Sequence, residues 1–187
     1  LFSLAVLLFR LLTRHDPLKG KMELSIDCLD EPARRRLYGE DPVFIFDPID
    51  QRNRPDPIEH SAALITWPIY PQDIQNLFMQ TFCTGMKSPT KRALTGQWKE
   101  SLARTIDSRQ LCNRCGQENF SNQPGQAAEC WNCTKPLDKP QILRTANGAV
   151  TVSADNKLYP HHFDIFKAPQ LKVPVGQIMP HPTDPTI

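Results

Sequence analysis

Charge of one sign is what this sequence lacks most clearly: 22 Lys and Arg stand against 20 Asp and Glu, a formal net charge of +2. Residues 1–108 carry 14 of each sign, and residues 109–187 carry 8 basic and 6 acidic side chains. A chain that binds nucleic acid neutralises phosphates with clustered cations, so this balance argues against such a partner. A long apolar run is also missing. The opening "LFSLAVLLFRLL" reaches nine residues before Arg10, against about 20 for a bilayer span, and neither a basic leader nor a small-residue cleavage site accompanies it. No membrane partner is expected. No internal repeat, Ser/His/Asp set or paired carboxylates stand out. Hydrophobic residues are 40%, under the roughly 45–50% of globular chains, while the 18 prolines are about twice average usage. Several small, loop-rich units fit this composition better than one large core.

Six cysteines are present, and four of them share a spacing. "CNRCGQENFSNQPGQAAECWNC" places Cys112 and Cys115, then fourteen residues, then Cys130 and Cys133. Each Cys-x2-Cys can set two sulfurs on one knuckle, and two knuckles complete a tetrahedron. Four thiolates leave no open position on Zn²⁺, so such a site is structural. Gly116 suits a tight knuckle that needs a residue without Cβ. A four-sulfur iron site shares the geometry. Disulfides need an oxidising compartment, whereas the isolated Cys28 and Cys83 and the absent leader point to a reducing, cytoplasmic one. A thioredoxin-like pair would need a βαβ context, which is missing. The ribbon's own charges, Arg109, Arg114 and Lys135 against Glu118, Glu129 and Asp138, sum to zero before any metal is added. With four thiolates and Zn²⁺ the module is about −2, against the alternative reading of a nucleic-acid-binding ribbon. Phe120 and Trp131 are expected to cover the knuckles or to dock a neighbour, packing being the usual role of an aromatic beside a zinc ligand and interface anchoring the sharper one.

Along the chain, Leu1 to Thr13 is apolar on nearly every face and is expected to be a helix enclosed by other elements. The abrupt apolar start and the ending "HPTDPTI" suggest a piece of something longer. Asp30 caps a short helix with Pro32 in its first turn. "VFIF" is a short apolar segment, and "DPIDQRNRPDPIEH" an irregular loop. "YPQDIQNLFMQTFCTG" has helical spacing, with Gly85 as its expected stop, and a second helix follows from Thr95 with Trp98 in the core. "QILRTANGAVTVS" reads as a hairpin turning at Asn147–Gly148. The triplet Arg34–Arg36 reads as a solvated helix face. His161 and His162, taken as neighbours on an extended segment, would point to opposite faces and share no ion.

The helical part resembles the second half of a protein kinase C-lobe. "LFSLAVLLFRLLTRHDPLKG" is similar to the large buried helix of kinases, with Ser3, Leu4, Leu7, Leu8, Leu11, Leu12 and Pro17 on matching positions and Ala5 where Gly is usual. "LFMQTFCTGMKSPTKRALTGQW" resembles the closing segment, with Pro89 and Arg92 matching and Ala93 replacing a proline; the resemblance implies that Arg92 pairs with the glutamate of the A-P-E segment. With the insertion "DEPARRRLYGEDPVFIFDP", the four cysteines, "LYPHH" and "HPTDP", the chain resembles bacterial Ser/Thr kinases associated with a von Willebrand A domain protein and a 2C-type protein phosphatase in tellurite-resistance-type systems.

The Gly-rich loop, the V-A-I-K lysine, H-R-D and D-F-G do not occur in these residues, and phosphoryl transfer needs them. No catalytic or ATP-binding residue is therefore assigned. ATP and Mg²⁺ belong only to the parent kinase that the resemblance implies. The expectation is an α+β, multi-module chain: a kinase C-lobe-like helical segment at 1–108, a zinc ribbon at 109–138, and a β-rich tail at 139–187 with a hairpin at 141–153. Its expected role is protein interaction, with a von Willebrand A domain protein as the implied partner and a 2C-type phosphatase as a second.

Overall fold

The computed structural model describes residues 1–121, 128–153 and 156–179. The architecture is mixed α+β: helices first, then three two-stranded antiparallel sheets. Two compact units divide the chain, Leu1–Trp98 and Lys99–Ile187. The "HPTDP" segment lies outside the described residues. Among the described residues, no helix is long and apolar enough to cross a membrane.

In the first unit, α1 (Phe2–Thr13) ends where Arg14 turns left-handed at φ 55°. Ala5, Phe9 and Thr13, spaced by four, are fully buried and form one stripe. The expectation of a helix enclosed on all sides fails here. Leu7 and Leu11 are 55% and 67% exposed, because the unit's aromatic core gathers on the Phe9 side. The Phe9 ring meets Phe44 at 5.5 Å, Phe78 at 5.2 Å and Trp67 at 5.9 Å. Trp98 closes the cluster 4.7 Å from Phe78 and is buried, as its sequence position suggested. Each such ring withdraws roughly 150–250 Å² from water, and truncating one to alanine typically costs about 3–5 kcal/mol.

"VFIF" supplies Val43, Phe44 and Ile45 to this core without joining a sheet. The loop that follows is held from within. Asn53 is fully buried; its amide donates to the Leu18 and Val43 carbonyls at 2.8 and 2.7 Å, and its Oδ1 accepts the Met22 N–H at 3.1 Å. A Cβ on Gly20, which precedes α2 (Lys21–Leu24), would lie 2.4 Å from the Asn53 carbonyl oxygen. Only glycine permits that approach.

The short helix α3 (Glu31–Arg35) is capped as expected, Asp30 Oδ1 accepting the Ala33 N–H at 2.9 Å. It widens into a π-helical turn over Arg36–Glu40, and Arg34 to Arg36 carry partly to fully exposed side chains. After α4 (Ser61–Thr66), α5 (Gln72–Met79) runs through a second π turn at Gln80–Thr84 into α6 (Gly85–Lys87). Gly85 therefore does not stop the helix. Its hydrogen leaves room for Arg92, whose Cγ would be 2.7 Å from a Cβ there. Arg92 Nε donates to the Gly85 carbonyl at 2.8 Å, and its guanidinium lies 5.1 Å from the Phe2 ring centroid. Helix α7 (Thr95–Asp107) then leads into the second unit.

There, β1 (Arg109–Leu111) pairs with β2 (Glu118–Phe120), β3 (Gln141–Thr145) with β4 (Gly148–Val152), and β5 (Lys157–Leu158) with β6 (Gly176–Gln177). One-turn helix α8 (Pro160–Phe163) follows β5. The β3–β4 register pairs Thr145 with Gly148, so the turn is Ala146–Asn147, one residue earlier than the Asn-Gly signal suggests. Among the described non-glycine residues only Arg14 and Thr134 have positive φ. The turn is thus not of the I′ type, which needs two positive φ values; Gly148, at φ 133°, opens the returning strand instead.

Candidate metal centre

Each cysteine pair sits at the tip of a tight backbone turn, and the two turns repeat one another bond for bond. The Cys112 N–H donates to the Gln117 carbonyl at 2.9 Å, and the Gly116 N–H to the Cys112 carbonyl at 2.8 Å. In the second turn the Cys130 N–H donates to the Lys135 carbonyl at 2.9 Å, and the Thr134 N–H to the Cys130 carbonyl at 2.8 Å. The residue after each pair is left-handed, Gly116 at φ 72° and Thr134 at φ 56°. Strands β1 and β2 flank the first turn, and a bridge between Glu129 and Pro136 flanks the second.

These turns bring four sulfurs together. Cys112 Sγ lies 3.7 Å from Cys133 Sγ, Cys115 Sγ lies 3.6 Å from Cys130 Sγ, and all four are within 4.8 Å of one another. All are free thiols, and a disulfide would need about 2.05 Å. A tetrahedron of four sulfurs at about 2.3 Å from a central ion has edges near 3.8 Å. The spacing and chemistry of these donors therefore fit one four-coordinate metal ion.

The backbone prepares thiolates. N–H groups of Arg114 and Cys115 aim at the Cys112 sulfur and hold its pKa below the usual thiol range. Those of Cys133 and Asn132 do the same for Cys130, lowering it to about 6 despite burial. Cys133 also receives the Lys135 N–H, but burial and the neighbouring sulfurs outweigh it and raise this thiol to about 11. Four sulfurs this close cannot all ionise without a cation between them. Cys112 and Cys130 are almost wholly buried with Leu137, and Cys115 and Cys133 pack against them.

One supporting residue carries no mark in the sequence. Asn119, on β2, is buried; its Nδ2 lies 3.8 Å from Cys130 Sγ, while its Oδ1 accepts the Trp131 N–H at 3.2 Å. It ties the first hairpin to the second knuckle, the role outer groups play around metal ligands. Trp131 stays 38% exposed, its indole N–H donating to the Glu118 carbonyl at 2.8 Å. It braces the hairpin's edge and only partly covers the knuckle; Phe120 is half-buried.

A second cluster lies elsewhere in this unit. His161 and His162 are 3% and 2% exposed, with ring centroids 4.2 Å apart, and each places a ligand-type atom within 4.8 Å of the other and of Asp107. The extended-strand reading of this pair is overturned. Pro160 starts a helical turn, and on a helix adjacent residues diverge by about 100° instead of 180°, so both rings reach the end of α7.

No family model matches the chain, and neither the curated proteins nor the solved structures provide a match.

Proposed function

We propose that this chain is a zinc-stabilised protein-docking module and the trailing part of a bacterial Ser/Thr protein kinase, with a von Willebrand A domain protein as its partner. The closed four-sulfur site carries the reading. With every donor spent on the ion, no position remains for substrate or water, so Zn²⁺ bound by Cys112, Cys115, Cys130 and Cys133 acts through folding energy.

Apolar surface supports the docking role. Phe166 is 92% exposed and Met179 71%, in a segment that also exposes Phe163, Ile165, Val173 and Val175. Grouped exposed apolar side chains mark interaction sites more often than singly scattered ones do. Leu7 and Leu11 on α1 present a comparable face in the first unit, compatible with a larger C-lobe. The kinase assignment itself rests on the sequence resemblance.

Calorimetric titration of the zinc-loaded chain with the von Willebrand A domain partner tests the docking reading. Saturable binding that weakens on Phe166→Ser supports it, and no binding by the zinc-loaded chain sinks it. Metal analysis of the purified chain should return about one zinc and no iron.

A further inference from the structure

The cluster of Asp107, His161 and His162 has no part in the four-sulfur site, and its hydrogen bonds determine what it can do. His162 Nδ1 accepts the Tyr159 N–H at 3.0 Å, filling the place that a Glu or Gln side chain takes at the third position of a capping box. His161 Nδ1 accepts the Gln170 N–H at 3.4 Å. A backbone amide always donates, so both Nδ1 atoms are bare and each neutral ring carries its proton on Nε2. His162 Nε2 donates that proton to Asp107 Oδ1 at 3.2 Å. His161 Nε2 is buried and, among the described residues, has no hydrogen-bond partner.

This tautomer decides between a metal and a proton. A metal on Nε2 would require both rings to carry their proton on Nδ1, against the two backbone N–H donors. A second proton on either ring would meet the same obstacle. The rings are therefore held neutral by the fold.

We propose that Asp107, His161 and His162 form a proton-controlled latch that fastens helix α8 to the end of α7 at neutral pH and releases it on mild acidification. Taking up a proton on His162 Nδ1 removes the acceptor of the Tyr159 N–H and so uncaps α8. The segment released carries the exposed Phe163, Ile165 and Phe166, but the latch does not depend on what that surface binds.

The direction of the effect follows from the proton count. Burial holds both imidazoles below their ordinary range, with His162 further lowering His161. Their neutral forms thus stabilise the fold above about pH 6.5, and this is lost as the pH falls. Asp107 opposes them, since burial raises its carboxyl to about 6 and it takes up one proton in the folded state. Charged groups nearby are engaged elsewhere: Arg109 bonds Glu118 and Asn156, and Asp164 accepts the Phe166 N–H. Between about pH 4 and 6 the unfolded segment binds protons on two imidazoles and the folded one a single proton on Asp107. One extra proton on opening makes the opening equilibrium rise about tenfold per pH unit.

The test compares the zinc-loaded wild-type chain with His162→Gln and His162→Ala. Glutamine keeps a side-chain acceptor for the Tyr159 N–H and does not titrate. Amide protection of residues 157–163 should fall about tenfold per unit below pH 6.5 in the wild type, stay nearly flat in H162Q, and be low at all pH values in H162A. Long-range ¹H–¹⁵N spectra should show the Nε2–H form for both histidines at pH 7.5. An equal acid response in H162Q, or an Nδ1–H ring at either position, overturns the latch. So does a second equivalent of Zn²⁺ or Co²⁺ that H162Q abolishes, which would make the cluster a metal centre.

Discussion

Thr134 stands in the second knuckle where Gly116 stands in the first, and both are left-handed, at φ 56° and 72°. The turn demands this conformation whatever residue fills it, and for a β-branched side chain it is an outlier. A left-handed non-glycine residue carries a penalty of about 1–2 kcal/mol, and Thr134 recovers part of it through its Oγ1 bond to the Cys133 carbonyl at 2.7 Å. Thr134→Gly is expected to stabilise the zinc-loaded chain by about 0.5–1 kcal/mol. Gly116→Ala should cost about 1 kcal/mol from backbone strain alone, because a Cβ there meets nothing within 4 Å among the described residues. Denaturant unfolding of both variants checks the pair.

Cys115→Ser removes one of four sulfurs whose mutual distances fit a single ion. Because metal binding at such a site is folding free energy, the variant should lose its bound ion, unfold the 109–138 module and loosen the β3–β4 hairpin behind it. A chelator should do the same to the wild type, reversibly on return of Zn²⁺. Metal analysis with hydrogen exchange across 109–153 reads the result, and retained zinc with unchanged exchange would remove Cys115 from the ligand set.

Asn53→Ala should destabilise the first unit by about 2–4 kcal/mol, since two carbonyls and one N–H lose a buried partner at once. Gly20→Ala should act at the same place through the clash with the Asn53 backbone. The two losses should fall well short of additive in the double variant, because they share one contact. Thermal unfolding of the three chains measures this.

Thiol reactivity should separate the two cysteines outside the cluster. Cys83 is half-buried, and burial together with its hydrogen bond to Asp47 pushes its thiol up to about 12. Cys28 is exposed. As the thiolate is the reactive form, iodoacetamide at pH 8 should label Cys28 first and Cys83 slowly in the zinc-loaded chain. Peptide mass spectrometry over time gives the order; equal rates would contradict the buried placement of Cys83.

Local signals were legible where a residue acts on its own neighbourhood. Asp30 caps α3 through the N–H three residues on, Trp98 is core, and the Cys-x2-Cys spacing places four sulfurs together. The failures have a common cause. Gly85 reads as a stop, yet its bare Cα serves Arg92, which folds back over it. The Asn147–Gly148 signal is displaced by one residue because the β3–β4 register sets the turn. Asn119 looks like any polar residue until the second knuckle arrives beside it.

The sequence by itself determined the metal-type cluster, since knuckle geometry is written in a four-residue spacing and needs only the backbone to close. It also determined the near-neutral charge. Only tertiary structure decided the fate of His161 and His162. Whether two adjacent rings diverge or converge depends on helix or strand, and Asp107 comes from a segment 54 and 55 residues away. Pro160 permits the turn, but the end of α7 gives it a carboxylate to hold, and no local pattern encodes a contact of that range.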